Sequence, residues 1–285
     1  MDENFEEIIK RKKEELNSKN SKTSSQKSRE AKVDRETMVD RIYSHIIENA
    51  GIDPLYRQCS FRNYETDHLC EENCEVFKTV KDYADNILSS ISKPRPKSMY
   101  LYSRHPGIGK THLAVATLKR AAKKIAEREY EKKEVVQYGV FPYNSNWSPV
   151  YFINVSEGLM DIKNDIEENH RELEKSRYFQ KAKTARLVVF DDIFNDARYS
   201  PFVLETLLYW VDYRLKNELA TIFTSNHNFE KFLKEASSPV KEEDLQVIAR
   251  NIASRVHKMV AGYKISLQSS PQTDYRKRGA DNKHW

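Results

Sequence analysis

The chain has 285 residues, with 48 Lys and Arg against 43 Asp and Glu, a formal net charge of +5 at neutral pH. Hydrophobic residues make up 39% and charged residues 32%, and 12 Phe with 16 Tyr are available for a core, which excludes a disordered composition. No apolar run approaches the roughly 18–20 residues of a membrane span, the charged start MDENFEEIIK is not a secretory signal, and three cysteines make no disulfide framework, so the expectation is a cytoplasmic protein of one α/β domain with an arm and no membrane partner.

Residues 1–16 are expected to form an amphipathic docking helix, with Phe5, Ile8, Ile9 and Leu16 on one side. A short helix of this kind has reason to exist only where something buries its apolar face. Residues 17–34 are rich in Ser and Lys, with almost nothing to bury, and read as a flexible linker. The segment 35–95 is expected to be helical. Its first helix, 35–50, carries Met38, Ile42, Ile46 and Ile47 at helical spacing after a cap at Asp34. Its second helix, 71–91, is stopped by Pro94 and Pro96.

From 96 to 270 the pattern alternates between strands and helices, which implies a parallel sheet covered on both faces. Strands are expected near 98–103, 150–155, 186–191, 219–224 and 262–267, and helices near 110–133, 156–180, 200–217 and 241–258. The aromatic piece 135–149 reads as an insertion, and 271–285 as a basic tail.

Glycine is scarce, at 7 residues where average usage of about 7% gives roughly 20. Two of the seven stand at Gly107 and Gly109, inside Arg104-His105-Pro106-Gly107-Ile108-Gly109-Lys110-Thr111-His112. Between a strand and a helix this fits a loop whose backbone N–H groups close around phosphates. Lys110 is expected to reach the β- and γ-phosphates of ATP, and Thr111 to ligate Mg²⁺. Arg104 stands where the motif has glycine, and it lacks glycine's backbone freedom.

Four apolar residues, 187–190, lead into Asp191 and Asp192 at the carboxyl end of a strand, where an α/β sheet presents its ligand site. Asp191 is expected to hold Mg²⁺, and Asp192 to polarise an attacking water, one methylene shorter than the Glu more often found in that role. The strand 221–224 leads to Ser225 and Asn226, and Asn226 is expected to orient the same water. Arg250 and Arg255 lie on the helix before the last strand. Either would serve as an arginine finger reaching a neighbouring subunit's nucleotide, although their spacing alone reads as a solvated basic face.

Together these residues resemble the AAA+ ATPases of the DnaC/DnaI helicase-loader group, with the IstB-type transposition ATPases as relatives. The resemblance covers about 55–276 and rests on residues 59–64 (CSFRNY), 107–114 (GIGKTHLA), 190–192 (FDD), 224–226 (TSN), 253–256 (ASRV) and 274–276 (DYR). It implies a P-loop AAA+ (ASCE) core with a five-stranded parallel sheet between helices, no C-terminal lid domain, and a helical arm in front. It selects Arg255 over Arg250 as the finger. It also implies a DnaB-type hexameric replicative helicase as partner, docked through the N-terminal arm, together with single-stranded DNA and self-association on ATP. An IstB-type transposition helper and a nucleotide-gated adaptor with little hydrolysis are the alternatives.

Cys59, His68, Cys70 and Cys74 do not have zinc-finger spacing, and ordinary thiols are the plainer reading. Lys163, Arg171, Lys175, Arg177, Lys181, Lys183 and Arg186 make a basic stretch, but acidic residues interleave it, so it reads equally as a solvated face.

Overall fold

The computed structural model describes residues 14, 35–66, 69–87, 98–132, 147–169, 172–194, 200–228, 230–231, 243–269 and 274. The docking helix expected over 1–16 (Glu14 apart), the linker 17–34, the cap Asp34, His68, Arg171, most of the insertion 135–149 and the tail 271–285 (Asp274 apart) lie outside the described residues. Among the described residues no helix is long and apolar enough to cross a membrane.

The chain divides into two compact units, 1–49 with 122–148, and 50–121 with 149–285. In the first, helix α1 (Arg35–Glu48) buries Met38, Val39, Ile42 and Ile46. Asp40 meets Lys123 at 2.6 Å, and Ser148 Oγ donates to the Ile46 carbonyl at 3.1 Å.

The second unit holds the sheet. A 3-10 turn (Pro54–Tyr56) and helix α2 (Glu71–Asp85) precede strand β1 (Met99–Tyr102). Then come α3 (Lys110–Tyr130, in this unit up to Ala121), β2 (Val150–Asn154), α4 (Val155–Asn169), α5 (Arg177–Thr184), β3 (Leu187–Asp191), α6 (Pro201–Lys216), β4 (Ala220–Ser225), α7 (Glu243–Met259) and β5 (Lys264–Ser266). All five strands are parallel, in the order β2-β3-β4-β1-β5. This is the five-stranded parallel sheet expected from the alternating pattern. β3 and β4 are buried along their whole length, as helix-covered central strands must be; β3 reads as the apolar run 187–190, while β4 buries Thr221, Thr224 and Ser225 among its apolar residues.

On one face Phe190, Phe223, Trp210 and Phe179 form a ring stack, with neighbouring centroids 5.3–5.8 Å apart. Helix α6 starts where Ser200 accepts from the Val203 N–H and Pro201 fills the first turn. Near its far end Arg214 is fully buried. It donates to Thr221 Oγ1 and to the carbonyls of residues 182, 183, 185 and 220. Burial pulls its pKa down to about 9, so it stays charged at neutral pH. One guanidinium thus ties the end of α5 to the start of β4.

Two expectations need correction. The helix expected over 156–180 breaks at Asn169, whose side chain donates back to the Asp165 carbonyl at 3.1 Å. A 3-10 turn (Leu173–Lys175) follows, and α5 then starts afresh so that Phe179 and Ala182 are buried. The helix expected over 71–91 is interrupted after Asp85, where the Asn86 side chain donates to the Asp82 carbonyl at 2.9 Å, and 88–91 lie outside the described residues. Within the second unit Asn73 exchanges two 2.8 Å hydrogen bonds with the Gln268 backbone, and Tyr64 packs against Gly109.

Replacing Arg214 by Met leaves several buried carbonyls without a donor. The expected cost is about 3 kcal/mol in urea unfolding; a loss under about 0.5 kcal/mol would show the carbonyls need no guanidinium.

Candidate functional site: a phosphate loop beside a buried aspartate

The carboxyl ends of β1, β3 and β4 lie side by side, and the sequence-predicted residues meet there. Residues 103–109 leave β1 and turn into the start of α3. Gly107 and Gly109 have φ of 81° and 91°, a region that side-chain-bearing residues rarely enter. Each also faces a close neighbour, since a Cβ on Gly107 would meet the Asp274 carboxylate and one on Gly109 would meet the Tyr64 ring. Arg104 is exposed and has no left-handed φ. The turn therefore does not require glycine there, and the concern raised by its side chain falls away. Pro106 is exposed as well, and Ile108 is buried beneath the loop.

Lys110 is 6% exposed. Its Nζ donates to Ser103 Oγ at 2.9 Å and to Asn226 Oδ1 at 2.6 Å. Asn226 was expected to orient water; in the structure it meets the loop lysine. Thr111 Oγ1 donates to Asp191 Oδ1 at 2.8 Å, so the two expected Mg²⁺ ligands are neighbours. Thr224 Oγ1 donates to the same carboxylate oxygen at 2.6 Å and accepts the Asp192 N–H at 3.0 Å. Asp192 itself has φ 55°, a strained left-handed conformation at the strand end.

Several supporting contacts were not anticipated, although Tyr64 and Thr224 lie in the motifs 59–64 and 224–226. The contact of Thr224 with Asp191 is legible only through register, because pairing Phe190 with Phe223 sets Thr224 beside Asp191. Ser103 accepts from Lys110 and donates to the His105 carbonyl at 2.6 Å. Ser269 accepts the His105 N–H at 3.0 Å. Tyr64 donates to the Ile108 carbonyl at 3.0 Å. The His112 ring is engaged by the Ser60 backbone, at 2.8 and 3.2 Å, and meets Tyr64 edge-on. Burial lowers its pKa, favouring the neutral ring. The His112 side chain thus braces 60–64, and only its place in the first turn of α3 serves the loop. Arg255, 31% exposed, donates from Nε to Asp212 at 2.8 Å. Cys59, Cys70 and Cys74 are free thiols, and among the described residues no group of three or more His, Cys, Asp or Glu could hold a metal.

The residues fit a magnesium nucleotide. Two glycines hold the loop open, a buried ammonium stands beside neutral oxygens, and a hydroxyl and a carboxylate converge as hard-oxygen donors suited to Mg²⁺. Burial above all, and then the Asp192 charge, push the Asp191 pKa up to about 7, while Thr224, Thr111 and Lys110 act in the opposite direction.

An unfolded aspartate titrates near 3.9. Between about pH 4 and 7 the folded protein therefore holds the extra proton, and stability falls as pH rises through that window. Asp191→Asn removes this cost. Without divalent metal, the variant is expected to melt about 2–4 °C above the parent at pH 8, with the gain shrinking toward pH 4. A pH-independent difference in melting temperature would mean that Asp191 ionises like an exposed aspartate.

No family model matches the chain. It is 25% identical over 186 residues to the replicative helicase loader DnaC of Buchnera aphidicola subsp. Baizongia pistaciae, covering 65% of this chain and 62% of that protein. The chain thus spans about three fifths of that relative's length. Its fold matches the crystal structure of the DnaC helicase loader with a TM-score of 0.50 at 22% identity, over 75% of this chain and 99% of that one. It matches the crystal structure of DnaI with a TM-score of 0.51 at 17% identity, over 78% and 94%. With the sheet order and the phosphate loop already described, these similarities relate the chain to the DnaC/DnaI-type AAA+ helicase loaders.

Proposed function

We propose that the chain binds and hydrolyses ATP with Mg²⁺ and uses the cycle to load a DnaB-type hexameric replicative helicase onto single-stranded DNA. The observation that carries this reading is the meeting of Lys110, Thr111, Asp191 and Asn226 at adjoining strand ends. The replication role is supported by the relatives, which are named helicase loaders.

The N–H groups of residues 107–111 would wrap the β-phosphate, with the positive end of α3 behind them. Lys110 would exchange its bonds to Ser103 and Asn226 for phosphate oxygens, and Asn226 would orient a water. Thr111 and Asp191 would hold the ion, which when bound neutralises charge on the phosphates. Asp192 would accept the proton of the attacking water. Arg255 would act on the nucleotide of an adjacent copy, and such a finger works only in an assembly. ATP is therefore expected to drive self-association. The arm 1–34 would carry the helicase contact.

Size-exclusion co-elution with the host's replicative helicase tests the loader reading. The full chain is expected to co-elute in the presence of ATP, and a 1–34 deletion to elute separately. No complex with the full chain under any nucleotide condition would remove the loader reading and favour the transposition or adaptor alternatives.

A further inference from the structure

Helices α6 and α7 lie side by side, with Leu204, Leu207 and Val211 of one and Ala249, Ile252 and Val256 of the other in a single buried cluster. At the margin of that cluster Asp212 of α6 meets Arg255 of α7. Arg255 donates from Nε to Asp212 Oδ1 at 2.8 Å and from one terminal nitrogen, Nη1, to the Asn251 carbonyl at 3.3 Å. Lys216 holds the other aspartate oxygen, Oδ2, at 2.5 Å. Among the described residues nothing pairs with the Arg255 Nη2 atom. Asp212 and Arg255 are 25% and 31% exposed, less than the partners of a surface pair such as Lys163–Glu167 at 61% and 64%.

A contact through Nε grips the guanidinium by its side and leaves the outer end of the fork for a second anion. An unheld arginine must give up rotamer freedom to meet a phosphate, whereas one already fixed on a rigid helix pair has lost that freedom in advance. The carboxylate is doubly anchored, because Lys216 fixes it from one side and the packed helices from the other. Lys216 first, and Arg255 with it, hold its pKa below the ordinary aspartate value, so it is ionised wherever the protein is folded at neutral pH.

We infer that Asp212 is the positioning residue of the arginine finger: it presents Arg255 to the γ-phosphate of a nucleotide bound by a neighbouring copy. This rests on the reading of Arg255 as a finger acting between subunits. Asp212 touches no substrate and acts only through Arg255. Its loss should therefore matter in the subunit that donates the finger and not in the subunit that holds the nucleotide.

Mixed assemblies of full-length chains separate the two. Arg255→Ala chains keep their phosphate loop but lack a finger, and Lys110→Ala chains keep the finger but cannot use their own loop. Mixing them is expected to restore ATP turnover that neither shows alone. With Lys110→Ala/Asp212→Ala donors, the rescue is expected to fall about tenfold. With Arg255→Ala/Asp212→Ala acceptors and intact donors, it is expected to stay unchanged. Asp212→Asn donors, which preserve volume, are run alongside, with thermal melts of every variant to verify folding. Equal rescue by donors with and without Asp212 overturns the positioning role while leaving the finger reading intact. An equal loss in acceptors and donors also overturns it, because that pattern marks a purely structural pair. Wild-type turnover that survives Arg255→Ala, or no turnover in wild type, removes the finger reading and this inference with it.

Discussion

Asp191 is a carboxylate that water barely reaches, held at one oxygen by the hydroxyls of Thr111 and Thr224. The three residues come from separate parts of the chain. Thr111 lies in the first turn of the helix that follows β1, Asp191 ends β3, and Thr224 lies in β4 between those two strands. A carboxyl group buried this deeply prefers to be neutral, and the neighbouring Asp192 strengthens that preference. The protein therefore keeps a local cost at the strand ends that a bound cation would relieve. A cost of this kind is in keeping with the magnesium-nucleotide site proposed for these residues.

The 103–109 loop is held by segments from both ends of the sheet-bearing unit. Ahead of the sheet, Tyr64 fills the space a side chain on Gly109 would need and binds the Ile108 carbonyl, while Ser60 engages His112. Beyond the sheet, Ser269 binds the His105 backbone and ring, and Asp274 lies against Gly107. Asn73 and Gln268 link these two flanks to each other through paired hydrogen bonds. A loop that must present its N–H groups in a fixed array gains precision from such bracing, because preorganised donors need not rearrange when an anion arrives.

Much of this is legible in the residues. Buried parallel strands read as largely apolar runs, so stretches such as 150–153 and 187–190 stand out between polar turns. Gly107-Ile108-Gly109-Lys110-Thr111 carries its own turn chemistry in a chain otherwise poor in glycine. What escapes the sequence is whatever depends on partners distant along it. The break after Asn169 follows from the need to aim Phe179 at Trp210, and no periodicity in 156–180 announces it. The contacts of Thr224 with Asp191 and of Ser103 with Lys110 become visible only when register and loop closure bring them together. Asp212 looks like any charge on a helix until α7 is laid against α6.

The central claim is that the Lys110–Asp191 cluster is a magnesium-nucleotide site, and direct titration of the purified chain with ATP reads it without any partner. The expected result is saturable binding that strengthens with Mg²⁺ and weakens about tenfold or more in Lys110→Ala, with circular dichroism unchanged. Equal binding by the parent and Lys110→Ala, or no binding by a folded parent chain, would contradict the account.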